Sequence, residues 1–222
     1  GESILNILVE PDNPKYIILL AFLVVAAVEE GTKFFFLYRR TWNDYNFNYR
    51  FDGIIYAVFV SLGFATFENI KYVFSYGLSV ALSIPGHMGF SVVMGLFYGR
   101  AKLCDNRGKG FSCKINLILG YLSAVFLHGV YDTCCMSGTA KSTLFFVLFV
   151  LIMYLVIFLL IKHESKTDTP VWNIGFSSRT DLVFPYIIER QFKIRSLFFK
   201  LPHMIFPKFD FTAACYARIS AQ

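Results

Sequence analysis

Three ionisable side chains stand where a membrane-length apolar run would ordinarily carry none. They are Glu29, Glu30 and Lys33 of Ala27-Val28-Glu29-Glu30-Gly31-Thr32-Lys33, inside the apolar stretch from Tyr16 to Tyr38. That stretch is about the length that crosses a bilayer as a helix. An ionisable group near its centre costs at least ~2.5 kcal/mol, so such groups mark function by default. On a helix Lys33 stands at i+4 from Glu29 and i+3 from Glu30, so one ammonium partly neutralises either carboxylate. The remaining carboxylate is then available as a base. The competing reading is a structural intramembrane ion pair, and complementary groups on other segments decide between the two.

Those groups are present. Phe64 and Glu68 share a helix face at i, i+4 with Tyr72 at i+8, so a carboxylate faces inward, where Lys71 or Tyr72 could also pair with it. His87 heads a small-residue stripe of Ser91, Gly95 and Gly99 at four-residue intervals, which lets a neighbouring helix approach closely. Gly120, Ala124, His128 and Asp132 repeat the same interval, placing an imidazole within hydrogen-bonding reach of a carboxylate on one face. Counting from the span ends at ~1.5 Å per residue sets Glu68, His87 and His128 roughly 9 to 14 Å deep and the Glu29-Glu30 pair roughly 20 Å deep. Four segments therefore offer polar groups to one broad layer. A single histidine in such a segment is more often a helix-to-helix hydrogen bond; it is the coincidence of four that points to a functional cavity. Convergent Glu and His suit water activation, with a carboxylate taking the proton and imidazoles stabilising an oxyanion. Zinc is the close competitor: His87, His128, Asp132 and Glu68 are sensible ligands by type, although no HExxH or similar local signature is present.

The elements that must hold these residues are helices in a membrane. The 222-residue chain is 56% hydrophobic with 26 Phe and only 16% charged residues, where a soluble domain carries nearer a quarter charged. Five spans are expected, at about Tyr16–Tyr38, Gly53–Phe74, Leu78–Tyr98, Ile115–Cys135 and Thr143–Ile161. The class is all-α, a polytopic transmembrane bundle. Pro85-Gly86 predicts a kink or break just before His87. The last span has no ionisable group except Tyr154 and reads as a lipid-facing scaffold. The organisation is a lead over 1–14, a helical domain over 15–161 and a basic tail over 162–222 that is cytoplasmic or interfacial. The chain starts at Gly1 without a signal segment, and a trimmed N-terminus is expected.

The net charge of +6 does not imply nucleic acid. Its basic residues fall in short connections, Arg39, Arg40 and Arg50 in one and Arg100, Lys102, Arg107, Lys109 and Lys114 in another, as the positive-inside rule requires. That bias sets the start of the chain outside and the tail inside. Five cysteines, without close CxxC pairs, give neither a structural zinc site nor a redox compartment.

The same residues carry a family resemblance. Glu-Glu-Gly-Thr-Lys at 29–33 resembles the EExxK motif of the PrsW family of intramembrane proteases. Asp52-Gly53-Ile54-Ile55-Tyr56 with Ser61-Leu62-Gly63-Phe64-Ala65-Thr66-Phe67-Glu68-Asn69 resembles its FxxxE segment. Pro85-Gly86-His87 with Met94-Gly95 resembles its histidine motif, and Leu127-His128-Gly129-Val130-Tyr131-Asp132 its HxxxD. The likeness spans roughly residues 16–161, with all four motifs in order. It implies a membrane-embedded endopeptidase, distantly similar to type II CAAX prenyl endopeptidases and to the non-proteolytic Aph subunits of gamma-secretase. By the same likeness it sits among membrane lipids, in a bacterial cytoplasmic membrane, and cuts a single-span membrane protein such as an anti-sigma factor near the outer side. The implied site has Glu29 or Glu30 as general base, with Lys33 and the other glutamate tuning it, and Phe64 in support. His128, oriented by Asp132, binds the oxyanion with His87, and Glu68 completes the network or ligates a metal. The cofactor is none if the chemistry is of the glutamate type and zinc if it is a metallopeptidase. A non-catalytic scaffold subunit and a proton or small-ion pathway are the readings from other classes.

Overall fold

A computed structural model describes residues 15–76 and 84–172, without the side chains of 71–73, 75 and 76. The expected lead, the start of the third span and most of the basic tail lie outside the described residues, as do the side chains of Lys71 and Tyr72. The first apolar run forms one helical rod in three stretches. These are α1 (Tyr16–Leu19), a π-helical segment (Leu20–Ala26) and α2 (Ala27–Thr41), with right-handed backbone through both junctions. α3 (Asp52–Tyr76), α4 (Ile84–Asn106), α5 (Gly110–Met136) and α6 (Ala140–Lys166) follow. Three of these helices are long and apolar enough to cross a membrane, over Asp52–Ile70, Gly110–Met136 and Ala140–Lys166. Pro85 is the second residue of α4 as described. No strand occurs among the described residues beyond an isolated antiparallel bridge between Tyr49 and Pro170.

Chain ends of the helices follow from local chemistry. α6 opens with a capping box, in which the Thr139 hydroxyl accepts from the Ser142 amide and Ser142 answers to the Thr139 amide. The turns before α5 and α6 place Gly108 and Gly138 at φ +71° and +60°, the left-handed region a side chain disfavours. At the start of α3, both backbone amides Asn48 and Tyr49 donate to the Asp52 carboxylate at 2.9 and 2.8 Å.

Close packing rests on the small residues. A Cβ on Gly53 of α3 would lie 2.6 Å from the Gly99 amide and 2.8 Å from the Gly95 carbonyl. One on Gly95 would lie 2.5 Å from the Ile54 Cα. The α3–α4 crossing is therefore backbone against backbone. On α5, Gly120, Ala124, His128 and Asp132 are all buried, and Gly120 meets the Met94 carbonyl of α4. α6 buries Phe146, Val150, Met153 and Ile157 along one side and exposes Leu144, Leu148, Leu151, Leu155 and Phe158 on the other. That apolar outer face suits lipid.

The end of the bundle that bears the basic loops is closed by a clasp. Glu164 of α6, almost wholly buried, pairs with Arg50 at 2.7 Å and Arg100 at 3.1 Å. The chain after α6 turns back along the α2–α3 connection. The Arg50 amide donates to the Thr169 carbonyl at 3.0 Å and the Val171 amide to the Asn48 carbonyl at 2.9 Å. The Asp168 carboxylate accepts from the Phe51 amide, and Asn106 of α4 donates to the Val171 carbonyl. Lys102 sits over Trp42 and Trp172, its ammonium 4.9 and 5.3 Å from the ring centres, a geometry in which each indole face attracts the cation.

Candidate active site

α2 brings the acidic pair to the bundle interior through its own period. Glu30 and Lys33, one turn apart, are buried, and Glu29 lies at the edge with 19% of its side chain exposed. The Lys33 ammonium donates to Glu30 Oε1 at 2.6 Å and stands 3.9 Å from Glu29 Oε2, so it sides with Glu30. It also donates to His87 Nδ1 of α4 at 2.8 Å. An ammonium has no lone pair, so His87 Nδ1 must accept, which leaves its proton on Nε2. His87 Nε2 then donates to Glu68 Oε2 of α3 at 2.7 Å. The tautomer of His87 is thus set from both sides.

His128 of α5 closes the cluster. Its Nδ1 donates to Glu30 Oε1 at 2.8 Å, so that single oxygen receives both Lys33 and His128. Its Nε2 lies 3.3 Å from Asp132 Oδ2 and 3.9 Å from Glu29 Oε2. The contact with Asp132 is at ion-pair distance. Aromatic rings hold the imidazoles. Phe64 meets the His87 ring edge-to-face at 6.0 Å and lies under the Lys33 ammonium at 4.6 Å. Phe90 stacks on His128 at 5.0 Å and 20° and meets the edge of His87 at 6.2 Å. Glu30, His87, His128 and Asp132 are each at most 1% exposed. Ion pairs this deep persist in a medium of low dielectric where hydrogen bonds hold them, as they do for Glu30, His87 and His128.

All six residues read as a site, Glu29, Glu30, Glu68, His87, His128 and Asp132, therefore converge, with Lys33 at their centre and Phe64 beside it. One expectation needs correcting: the acidic pair is level with the histidines, not deeper. Depth counts start from span ends that an apolar pattern locates only within a turn or two, and direct contacts at 2.6–2.8 Å override them. Two contributors were not singled out in the sequence. Ser61 donates to the His87 carbonyl at 2.9 Å, and Phe90 is one phenylalanine among 26. Its position three residues after His87, on the same helix face, was the available clue.

A sequence model described as the PrsW family of intramembrane metalloproteases matches residues 2–161. The chain belongs to the PrsW family. Among the relatives are proteins named Protease PrsW. That of Clostridioides difficile (strain 630) is 33% identical over 147 residues, 62% of this chain and 60% of its own length. That of Geobacillus kaustophilus (strain HTA426) is 38% identical over 117 residues, half of each chain. That of Halalkalibacterium halodurans is 32% identical over 156 residues, 68% of this chain and 70% of its own. The chain thus spans between half and three-fifths of the length of the first two. No solved structure matches it.

The PrsW description implies a metal, and the donors suit one. Glu29, His87 and His128 each offer a ligand atom within 4.8 Å of the other two, and two histidines with one glutamate make a catalytic zinc set. Each imidazole is held through its other nitrogen by a carboxylate, Glu68 on His87 Nε2 and Glu30 on His128 Nδ1. That is the outer-shell pattern by which proteins orient ligating histidines. Among the expected ligand types, Glu68 stands behind His87 and is outside this group. The Lys33 ammonium now occupies His87 Nδ1, so metal binding requires it to swing aside.

Proposed function

We propose that this PrsW-family protein is a membrane-embedded endopeptidase that cuts a single-span membrane protein by activating a water molecule. The observation that carries the reading is the convergence of ionisable groups from α2, α3, α4 and α5 on one buried cluster, joined at 2.6–2.8 Å. Glu29 is the general base. Its side chain borders the cluster and is 19% exposed, while Glu30 is fully enclosed and occupied by Lys33 and His128. Glu30 and Lys33 hold Glu29 and the imidazoles in place. His128, with Asp132 beside it, and His87 stabilise the oxyanion of the tetrahedral intermediate, and Glu68 fixes the His87 tautomer.

The substrate class is a single-span protein such as an anti-sigma factor, met near the outer side of a bacterial cytoplasmic membrane. The α1–α2 rod and α4 cross the membrane with the three longer apolar helices, five spans in all. The chain starts outside, and the basic loops and the 162–222 tail lie inside, as the lysine and arginine bias requires. Single cysteines at Lys109 and at Gly138 test this: an impermeant thiol reagent applied outside should label the second and spare the first.

The Glu29, His87 and His128 group favours a second reading, a zinc peptidase. Those three would hold the ion, which when bound polarises the peptide carbonyl and acidifies a water. Glu30 and Glu68 would then keep both imidazoles turned toward it. Purified protein incubated with a panel of single-span substrates, with and without chelator, separates the readings. Cleavage that resists chelation and disappears in Glu29→Gln supports the glutamate reading. Chelator loss reversed by zinc overturns it, and intact substrate under every condition would favour a non-catalytic scaffold.

A further inference from the structure

The acidic pair is preceded by seven residues of π-helix, Leu20–Ala26, in an otherwise α-helical rod. A π turn takes up about one residue more than an α turn, so the face presented downstream is turned by roughly one residue, ~100°. Glu29 and Glu30 begin the third residue after that segment, and their direction depends on it. Two contacts from α5, the helix that carries His128, pin the segment. Phe22, within the π stretch, lies flat on Gly129. A Cβ added at Gly129 would come within 2.5, 2.6 and 2.7 Å of three Phe22 ring atoms. At the junction with α2, the Tyr121 hydroxyl donates to the Ala27 carbonyl at 3.0 Å. Such junctions are where i→i+5 bonding returns to i→i+4 and a carbonyl drops out of the helical ladder. One contact falls within the segment and the other at its C-terminal junction, and the first is to the neighbour in sequence of the histidine that Glu30 accepts from.

We infer that Phe22, Gly129 and Tyr121 are positioning residues for the reaction: they fix the π-helical register that aims Glu29 and Glu30 at His128 and Lys33. This rests on the peptidase reading above. None of the three touches the cluster side chains through a hydrogen bond of its own; each acts through the backbone of the rod.

The test uses the full chain in detergent, as wild type, Gly129→Ala, Phe22→Ala, the Gly129→Ala/Phe22→Ala pair and Tyr121→Phe. The substrate is a single-span protein that the wild type cleaves. Gly129→Ala should lower kcat at least tenfold with KM within twofold. Removing the Phe22 ring in the pair should restore kcat to within about threefold of Phe22→Ala alone. Tyr121→Phe, which loses only the hydroxyl, should lower kcat several-fold at unchanged KM. A second readout needs no turnover: the low-field Nδ1 proton resonance of His128, identified by its absence in His128→Gln. It should be present in wild type, lost in Gly129→Ala, weakened in Phe22→Ala and returned in the pair to the Phe22→Ala level. Full kcat in folded Gly129→Ala, or a pair no better than Gly129→Ala in both readouts, overturns the inference. If Gly129→Ala fails to accumulate, the pair alone decides, and its failure to recover also overturns it. Should wild type cleave nothing, the peptidase reading falls while the resonance still judges the register.

Discussion

Glu29 and Glu30 are adjacent in sequence yet have different surroundings, and the difference predicts opposite mutational signatures. Glu30 Oε1 accepts from both Lys33 and His128 with no exposure, so Glu30→Gln leaves a buried ammonium without its counter-charge. A loss of about 3–5 kcal/mol of stability is expected, together with activity, seen as a large fall in thermal midpoint in detergent. Glu29 is partly exposed, and Glu29→Gln should leave that midpoint nearly unchanged. Cleavage should fall by about 10² to 10⁴, the usual contribution of a general base. A second contrast concerns His87. Because Glu68 accepts its Nε2 proton at 2.7 Å, Glu68→Gln weakens one of the two contacts that set the tautomer, and kcat should drop with little change in KM. Much of this cluster was legible in the chain. Charges in apolar runs declare themselves by cost, and His128 with Asp132 by their four-residue spacing. Which glutamate Lys33 would choose was not legible, because i+3 and i+4 are nearly equivalent on a helix and a third group, His87, decides it.

At the scale of elements, the small residues of α3 and α4 set how near the Glu68 and His87 backbones come. Gly53→Ala would drive its Cβ against backbone of α4 at 2.6 and 2.8 Å. Backbone cannot rotate away as a side chain can, so a cost at the upper part of the ~1–3 kcal/mol range for overpacking is expected. Gly63→Ala, on the same helix with nothing within 4 Å of its Cβ, is the internal control. It should be neutral or gain up to about 1 kcal/mol from helix propensity. Unfolding both variants side by side by denaturant checks the pair. The Ser91-Gly95-Gly99 stripe was readable because small residues at four-residue intervals make a groove wherever the helix lies. The π-helical Leu20–Ala26 was not, since a run of Leu, Ala, Phe and Val satisfies either hydrogen-bonding pattern, and the Gly129 and Tyr121 contacts that meet it come from a distant helix.

For the molecule as a whole, the clasp joins the last helix to the connection between the first two. Glu164→Ala should cost about 2–3 kcal/mol, less than a fully enclosed pair because Arg100 keeps 42% of its side chain exposed. A chain ending at Lys166 should melt earlier than one ending at Trp172. The PrsW family match stops at residue 161, and the expected boundary of the helical domain stood there too. Yet α6 continues to Lys166 and the strap to Trp172 is bonded into the fold. Nothing in Thr167-Asp168-Thr169-Pro170-Val171-Trp172 advertises this, because its hydrogen-bond partners outside α6 lie 65 to 125 residues earlier and most of the bonds involve backbone atoms. The clasp also has an optical consequence. The chain contains only two tryptophans, Trp42 and Trp172, and both flank the Lys102 ammonium, with the Trp172 indole N–H on the Phe47 carbonyl. Intrinsic indole emission is therefore blind to the acidic cluster and reports the opposite end of the bundle. A red shift and change in yield would signal the strap peeling away, with no label attached to the protein.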